Sequence, residues 1–236
     1  MNAPSLPLNT FKIENVSPEE RRLLEKHLSL ILAINSDINL TRIGSFQEGL
    51  LLHVEDSLAG LPELNNAPEG LYADLGTGAG YPGIPLAIVS GRHTVLVDST
   101  QKKMAVLDSV INELGAGKHI QTHVGRIEGL AKTKREGFSV LTARALAPLP
   151  SLVELASPLL CLFGQLVCYK AQMDETELSS AELLKEKTGM TLVSDRKFLL
   201  SDSYTTRRIL VFEKYKQATL LLPRRDGMAQ KRPYKP

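Results

Sequence analysis

Gly76, Gly78 and Gly80 stand at alternate positions behind Asp74 and Leu75, and Tyr81-Pro82-Gly83 follows them. Glycine lets a backbone bend tightly and approach a ligand with no Cβ in the way. Leu71 to Leu75 in front of the turn reads as a buried strand. Gly83 to Val89 behind it reads as a helix with an early proline. Doubly wound sheets hold nucleotide-like cofactors at such a strand-turn-helix unit. Asp98 ends the next predicted strand, Thr94 to Asp98, about twenty residues beyond the turn, where an acidic side chain can accept hydrogen bonds from both ribose hydroxyls. It can also start the following helix, as can Ser99 or Thr100. The matching strand ends favour the ribose role.

Position 81 separates two classes of cofactor. The dinucleotide fingerprint G-x-G-x-x-G needs its third glycine there, for close helix packing beneath a pyrophosphate. Tyr81 occupies that position, and the series is G-x-G-x-G followed by Pro82-Gly83. S-adenosylmethionine has no pyrophosphate and needs only a turn for its methionine part. The D-x-G-x-G-x-G string resembles the first motif of the class I methyltransferases. Asp98 suits NAD equally well, but no Tyr-x-x-x-Lys hydride-transfer pair is evident. Two later strand ends add candidates. Arg126-Ile127-Glu128 follows the predicted strand Ile120 to Val124, at a usual adenine-contact position. Thr142-Ala143-Arg144-Ala145 ends the predicted strand Ser139 to Thr142, where donor and acceptor would meet.

The elements that must position these residues alternate. Ser17-Pro18-Glu19-Glu20 is a helix start, with Leu23, Leu24, Leu28, Ile31 and Leu32 as an apolar face. His27 on that face reads as a core-edge histidine. A second helix is predicted over Gln47 to Leu61 and a loop over Leu61 to Gly70. A helix over Lys102 to Leu114 is closed by Gly115. Another follows Pro148, and a strand runs over Gln165 to Tyr169. Asp174 to Lys187 reads as a charged surface helix. Thr191 to Leu200 and Arg207 to Glu213 read as a closing antiparallel pair. The expected fold is α/β: a mostly parallel seven-stranded sheet with helices on both faces. Residues 1–65 are expected to form a helical extension, 66–215 the cofactor-binding domain and 216–236 a basic tail.

The chain has 236 residues, 43% of them hydrophobic, and no tryptophan, so its core is mainly aliphatic. No apolar run reaches the roughly 20 residues that span a bilayer. Met1 to Ile13 does not read as a secretory signal, and residues 1–15 are expected to be frayed. Cys161 and Cys168 have no Cys/His partners at metal-ligand spacing, which predicts buried thiols, no metal site and, by default, a cytoplasmic location. Nothing demands more than a monomer. The net charge of +2 conceals an asymmetry, because Lys214 to Pro236 carries seven basic residues against one acid, Asp226. A basic tail on an acidic body suggests a polyanionic partner such as RNA or DNA, or else a solvated end.

Taken together, the motifs resemble those of the bacterial 16S rRNA guanine-N7 methyltransferases, also called the glucose-inhibited division protein B family. Asn39-Leu40-Thr41 and His53-Val54-Glu55-Asp56-Ser57-Leu58 match its N-terminal signatures. The run from Asp74 to Ile88, Val97-Asp98-Ser99 with Lys102-Lys103, and Ala143-Arg144-Ala145 match later ones. Leu222-Pro223-Arg224-Arg225-Asp226-Gly227-Met228 through Lys231-Arg232-Pro233 matches its C-terminal segment. Tyr169-Lys170-Ala171 stands where the family usually has Leu-Lys-Gly, keeping the lysine and losing the glycine. The resemblance implies S-adenosylmethionine contacts at Gly76, Tyr81, Ile127, Glu128 and Arg144, and it supports Asp98 at the ribose. Gly78 and Gly80 join them as turn glycines. It implies a guanine in the decoding-centre loop of 16S rRNA as acceptor, presented as naked RNA or in the 30S subunit. It makes RNA the partner of Arg224, Arg225, Lys231 and Lys-adjacent Arg232.

Guanine N7 carries no proton and has an in-plane lone pair, so its methylation needs no general base. The enzyme's part is alignment of nucleophile, methyl and sulfur. Arg144 and Lys170 are expected to position, and no residue is assigned as a catalyst. Arg42, His53, Lys102 and Lys103 are further candidates for RNA contact. The alternative is a non-enzymatic ribosome-assembly factor that binds S-adenosylmethionine or a nucleotide.

Overall fold

The structure is a computed structural model and describes residues 16–234. The expectation of a frayed start over residues 1–15 lies outside the described residues. Helix α1 (Pro18–Ile38) begins with the expected capping box: the Ser17 amide donates to Glu20 Oε2 at 2.7 Å and the Glu20 amide to Ser17 Oγ at 3.2 Å. Asn39, at φ 51°, closes it. Leu24, Leu28 and Ile31 are buried, and so is His27.

The predicted second helix is a composite. It runs through α2 (Phe46–Gly49), a π-helical segment (Leu50–Glu55) and α3 (Asp56–Leu58). The wider π turn changes which side chains face inward, and His53, Glu55, Asp56 and Ser57 are all buried. The predicted loop that follows contains helix α4 (Leu61–Asn66). Pro62 fits its first turn, Leu64 is fully buried, and the Arg196 guanidinium grips Glu63 at 2.7 and 2.9 Å. These tertiary anchors override a sequence rich in Pro and Asn.

The main domain then alternates: β1 (Tyr72–Leu75), α5 (Gly83–Ser90), β2 (Thr94–Asp98), α6 (Gln101–Leu114), β3 (Ile120–Val124), α7 (Ile127–Thr133), β4 (Phe138–Arg144), α8 (Leu149–Ala156) and β5 (Leu160–Lys170). The predicted surface helix divides into α9 (Glu175–Glu182) and α10 (Lys185–Thr188), because fully buried Leu184 turns inward between them. The closing pair is β6 (Met190–Leu199) and β7 (Thr206–Lys214), and α11 (Met228–Lys231) lies in the tail. The sheet order is β3-β2-β1-β4-β5-β7-β6, with β7 antiparallel to both neighbours and the rest parallel. Strand order reverses between β1 and β4, so the crevice at their carboxyl ends is the topological switch point.

One face of the sheet packs Leu96 and Ile120 against Ile84 of α5, Met104 and Leu107 of α6, and Leu24, Leu28 and Ile31 of α1. The N-terminal helices therefore share a core with the sheet. Val97, Leu141 and Leu166 pack with α7 and α8 in a second cluster. Among the described residues, no helix is long and apolar enough to cross a membrane. No metal-ligating cluster of His, Cys, Asp and Glu is found among them either. Cys168 is buried, and burial pushes its thiol up to about 12. Cys161 departs from expectation in being only partly buried, at the Leu160–Gly164 bend of β5.

Candidate active site

The glycine turn is tied down from three sides. The Gly76 and Thr77 amides both donate to Val97 O, at 2.8 and 3.1 Å. Asp74 is fully buried beneath the turn. Its Oδ2 accepts from the Gly83 amide at 3.0 Å, and its Oδ1 from Thr142 Oγ1 at 2.7 Å. Thr142 in turn accepts from the Tyr72 hydroxyl at 2.7 Å. Burial pushes the Asp74 carboxyl above its ordinary range despite these donors. One side chain thus locks the end of β1 to β4 and to the first turn of α5. Gly76 sits at φ 70°, a conformation that favours glycine, and a Cβ there would also press on Leu146 Cδ1 at 2.6 Å.

A cavity of about 230 Å³ opens over the carboxyl ends of β1, β2 and β4. Gly76, Asp98, Ile127 and Glu128 line it, as expected. Asp98 Oδ2 accepts from the Gly78 amide at 3.3 Å and Oδ1 from the Thr100 amide at 2.8 Å. Thr100, not Asp98, is the N-cap residue of α6. Two backbone donors fix the Asp98 carboxylate and leave further lone pairs for the hydroxyls of a ribose. Lys103, Arg126 and Gln230 also line this cavity. Lys103 was expected at RNA. Gln230 carries no local motif, and only the fold brings it here.

The same turn is unsuited to a pyrophosphate. The Gly80 and Tyr81 amides donate to Thr77 O, the Gly83 amide to Asp74 and the Ile84 amide to Gly80 O. Pro82 and Pro85 have no amide hydrogen. The start of α5 therefore offers a buried carboxylate where a dinucleotide site offers free N–H groups. The residues present fit a ribose-bearing cofactor that lacks a phosphate.

Gly78, Gly80 and Tyr81 are not in the wall of this cavity. Gly78 acts through its amide on Asp98. A Cβ on Gly80 would meet Ile84 Cδ1 at 2.6 Å and His27 Nε2 at 3.2 Å, so its role is packing beneath the turn. Tyr81 is buried between His53, stacked at 4.3 Å, and His27 at 4.5 Å. Its hydroxyl has no partner among the described residues, and burial raises its pKa. An unmade hydrogen bond on a buried hydroxyl costs about 1–3 kcal/mol, so Tyr81 is held here by its ring contacts and not by its hydroxyl.

Arg144 points away from the first cavity into a second, of about 500 Å³. Ala145 belongs to both, and its φ of 54° is costly for a residue with a Cβ. The Arg144 guanidinium donates to Asp56 Oδ2 at 2.9 Å, to Leu52 O at 3.0 Å and to His53 Nδ1 at 3.3 Å. An arginine only donates, so His53 Nδ1 carries a lone pair and its Nε2–H donates to Thr41 Oγ1 at 2.8 Å. Burial, with Arg144 beside it, lowers His53 to about 4. Asp56 also holds Arg207, through Oδ1 at 2.9 Å. Lys170 completes the cationic rim, bonded to Glu177 Oε1 at 2.6 Å and Ala147 O at 3.1 Å. Sequence reasoning missed Asp56 and Arg207 as a pair, because 151 residues separate them.

The expected RNA-contacting tail residues divide. Arg225, Lys231 and Arg232 are exposed. Arg224 instead turns inward and clamps Glu154 at 2.7 and 2.6 Å, with its guanidinium 4.0 Å from the Tyr234 ring. Glu154 is only 2% exposed, and a carboxylate so buried requires a cation.

The fold, the phosphate-excluding turn and the paired cavities define a class I S-adenosylmethionine-dependent methyltransferase. Two solved structures share this architecture. The Bacillus cereus O-methyltransferase in complex with SAH aligns at TM-score 0.57 and 18% identity, over 80% of this chain and 90% of that one. Geranyl diphosphate methyltransferase in complex with GPP and sinefungin aligns at 0.56 and 11%, over 85% and 100%. Residues 20–200 match the profile of GidB, rRNA small subunit methyltransferase G. Ribosomal RNA small subunit methyltransferase G of Carboxydothermus hydrogenoformans is 33% identical, over 96% of this chain and 98% of its own length. That of Alkaliphilus oremlandii is 34% identical, over 90% of each. The chain belongs to the rRNA small subunit methyltransferase G family.

Proposed function

We propose that this chain transfers a methyl group from S-adenosylmethionine to N7 of a guanine in the decoding-centre loop of 16S rRNA. The first cavity would take the donor and the second the base, meeting at Ala145. Asp98 holds the ribose, Gly76 lets the turn close on the donor, and the Ile127–Glu128 segment flanks the adenine side. When bound, S-adenosylmethionine supplies an electrophilic methyl on a sulfonium.

The observation that carries the choice of acceptor atom is the state of the groups in the second cavity. Each side chain able to remove a proton there is already engaged. Asp56 keeps free lone pairs, but taking a proton would cost it the ion pairs with Arg144 and Arg207. His53 Nδ1 accepts from Arg144. The Tyr169 hydroxyl donates to Ser57 O at 2.8 Å, and burial raises its pKa well above the ordinary value. An amine or hydroxyl acceptor needs a base in reach. Guanine N7 brings its own lone pair and needs only alignment. Arg144, Lys170 and Arg207 form a fixed cationic rim suited to a sugar-phosphate backbone. Exposed Arg225, Lys231 and Arg232 extend positive charge along the tail.

The test is methyl transfer from labelled S-adenosylmethionine to 30S subunits and to naked 16S rRNA, followed by mass mapping of the modified nucleotide. The expected result is one labelled guanine, modified at N7. Binding of the donor without transfer to either substrate would refute the enzymatic reading and leave the assembly-factor alternative.

A further inference from the structure

The C-terminal segment does not trail from the domain. After β7 the chain returns across α8 and reaches the mouth of the 230 Å³ cavity. Leu222 is buried, and Arg135 donates to its carbonyl at 2.7 Å. Arg224 pairs with Glu154 of α8. Ser151 Oγ donates to Ala229 O at 2.7 Å, and Ala229 is itself buried. Gly227 turns at φ 77°, a conformation that favours glycine. Its amide donates to Glu128 Oε1 at 2.7 Å. Glu128 belongs to the wall of the cavity, so the tail is bonded directly to a residue of the donor site. One turn later Gln230 completes that wall beside Leu146, its Nε2 lying 3.5 Å from Leu146 O.

We propose that residues 222–232 form a wall of the methyl-donor site, with Gln230 as a donor-contacting side chain and Glu128, Arg224 and Glu154 as the residues that position it. This rests on the reading of the 230 Å³ cavity as the donor site. The segment expected from sequence to serve RNA alone then serves the cofactor too. Gln230 presents an amide, with one acceptor and two donor hydrogens, to a ligand rich in both. Its neighbours Lys231 and Arg232 face solvent. Any contact RNA makes with them is within two residues of the donor pocket, and linkage makes such coupling reciprocal.

Isothermal titration with S-adenosylhomocysteine tests this on the full chain. Gln230→Ala removes an exposed side chain, so its unfolding midpoint should match wild type, while its dissociation constant rises five- to tenfold. Its affinity for 16S rRNA without the cofactor should stay within twofold. Arg224→Gln should also weaken the cofactor, and hydrogen exchange of amides 224–232 in wild type should slow when S-adenosylhomocysteine binds. An affinity within twofold of wild type in Gln230→Ala, or exchange across 224–232 indifferent to the ligand, would overturn the proposal even if Arg224→Gln unfolds. Wild-type protein that binds no S-adenosylhomocysteine would instead overturn the donor-site reading itself.

Discussion

His27 and His53 flank Tyr81 as neutral rings, and their neutrality has a consequence for stability. Burial lowers His27 to about 3 and His53 to about 4. His27 faces Ala79 O and Tyr81, with the His53 ring as a like-charged neighbour when protonated; His53 faces Arg144. An unfolded histidine titrates near 6.5, so between these values the unfolded chain binds more protons than the folded one. Stability is then fully present above about pH 6.5 and is lost as pH falls towards 4 and then 3. Denaturant unfolding between pH 7 and pH 4 should show this loss. His27→Leu should make the dependence shallower by close to one proton. An unchanged slope would mean that His27 does not contribute. The arrangement also explains why Tyr81 gave a correct exclusion of dinucleotides and yet is absent from the first cavity's wall. Its ring is a spacer beneath the turn, stacked on His53 and tilted against His27, two histidines that sequence spacing does not bring together.

At the scale of elements, the turn works because β1, β4 and α5 meet at Asp74. A Cβ on Gly83 would run into Leu96 Cδ2 and lie 2.8 Å from Asp74 Oδ2. Gly83→Ala must push α5 off the sheet or turn Asp74 away from Thr142. Overpacking of this kind costs about 1–3 kcal/mol. The variant should unfold at lower denaturant and bind S-adenosylmethionine more weakly. Tight binding with an unchanged midpoint would show that the helix start has room to move. Elements of this kind were legible in the sequence because their signals are local. The Ser17 box, the glycine series, the Thr94–Asp98 strand and the Gly115 stop each depend on neighbouring residues. Helix α4 was not legible, because Leu64 and the Glu63–Arg196 pair supply its support from across the fold. Nor was the π-helical segment, since Leu50–Glu55 has an ordinary helical composition and its register is set by what His53, Glu55 and Asp56 must reach. The inward turn of Arg224 was hidden for the same reason: its partner Glu154 lies on another element.

Across the whole molecule, the N-terminal helices are joined to the C-terminal hairpin by three acidic side chains. Glu55 accepts from the Ser201 amide at 2.6 Å, Glu63 pairs with Arg196, and Asp56 binds both Arg144 of β4 and Arg207 of β7. Asp56 is 4% exposed while the Arg144 and Arg207 side chains are 17% and 15% exposed, so the anion of the Arg–Asp–Arg bridge is desolvated and its cations only in part. Removing the shared anion leaves two guanidinium groups facing each other at the second cavity. Breaking a buried pair from one side typically costs about 3–5 kcal/mol. Arg144 and Arg207 keep some contact with water, which places Asp56→Ala near the lower figure. The loss should appear as a lower denaturant midpoint with an unchanged m-value, because the unfolded surface is the same. Function should respond separately. The first cavity does not include Asp56, so affinity for S-adenosylmethionine should be close to wild type. Arg144 and Arg207 lose their common anchor, so methyl transfer should fall through a raised KM for the RNA substrate. Asp56→Asn, which keeps the shape and one acceptor oxygen, should recover part of both. An Asp56→Ala protein with wild-type KM would show that the two arginines hold their geometry without the carboxylate, and that the cationic rim does not depend on the helix that carries it.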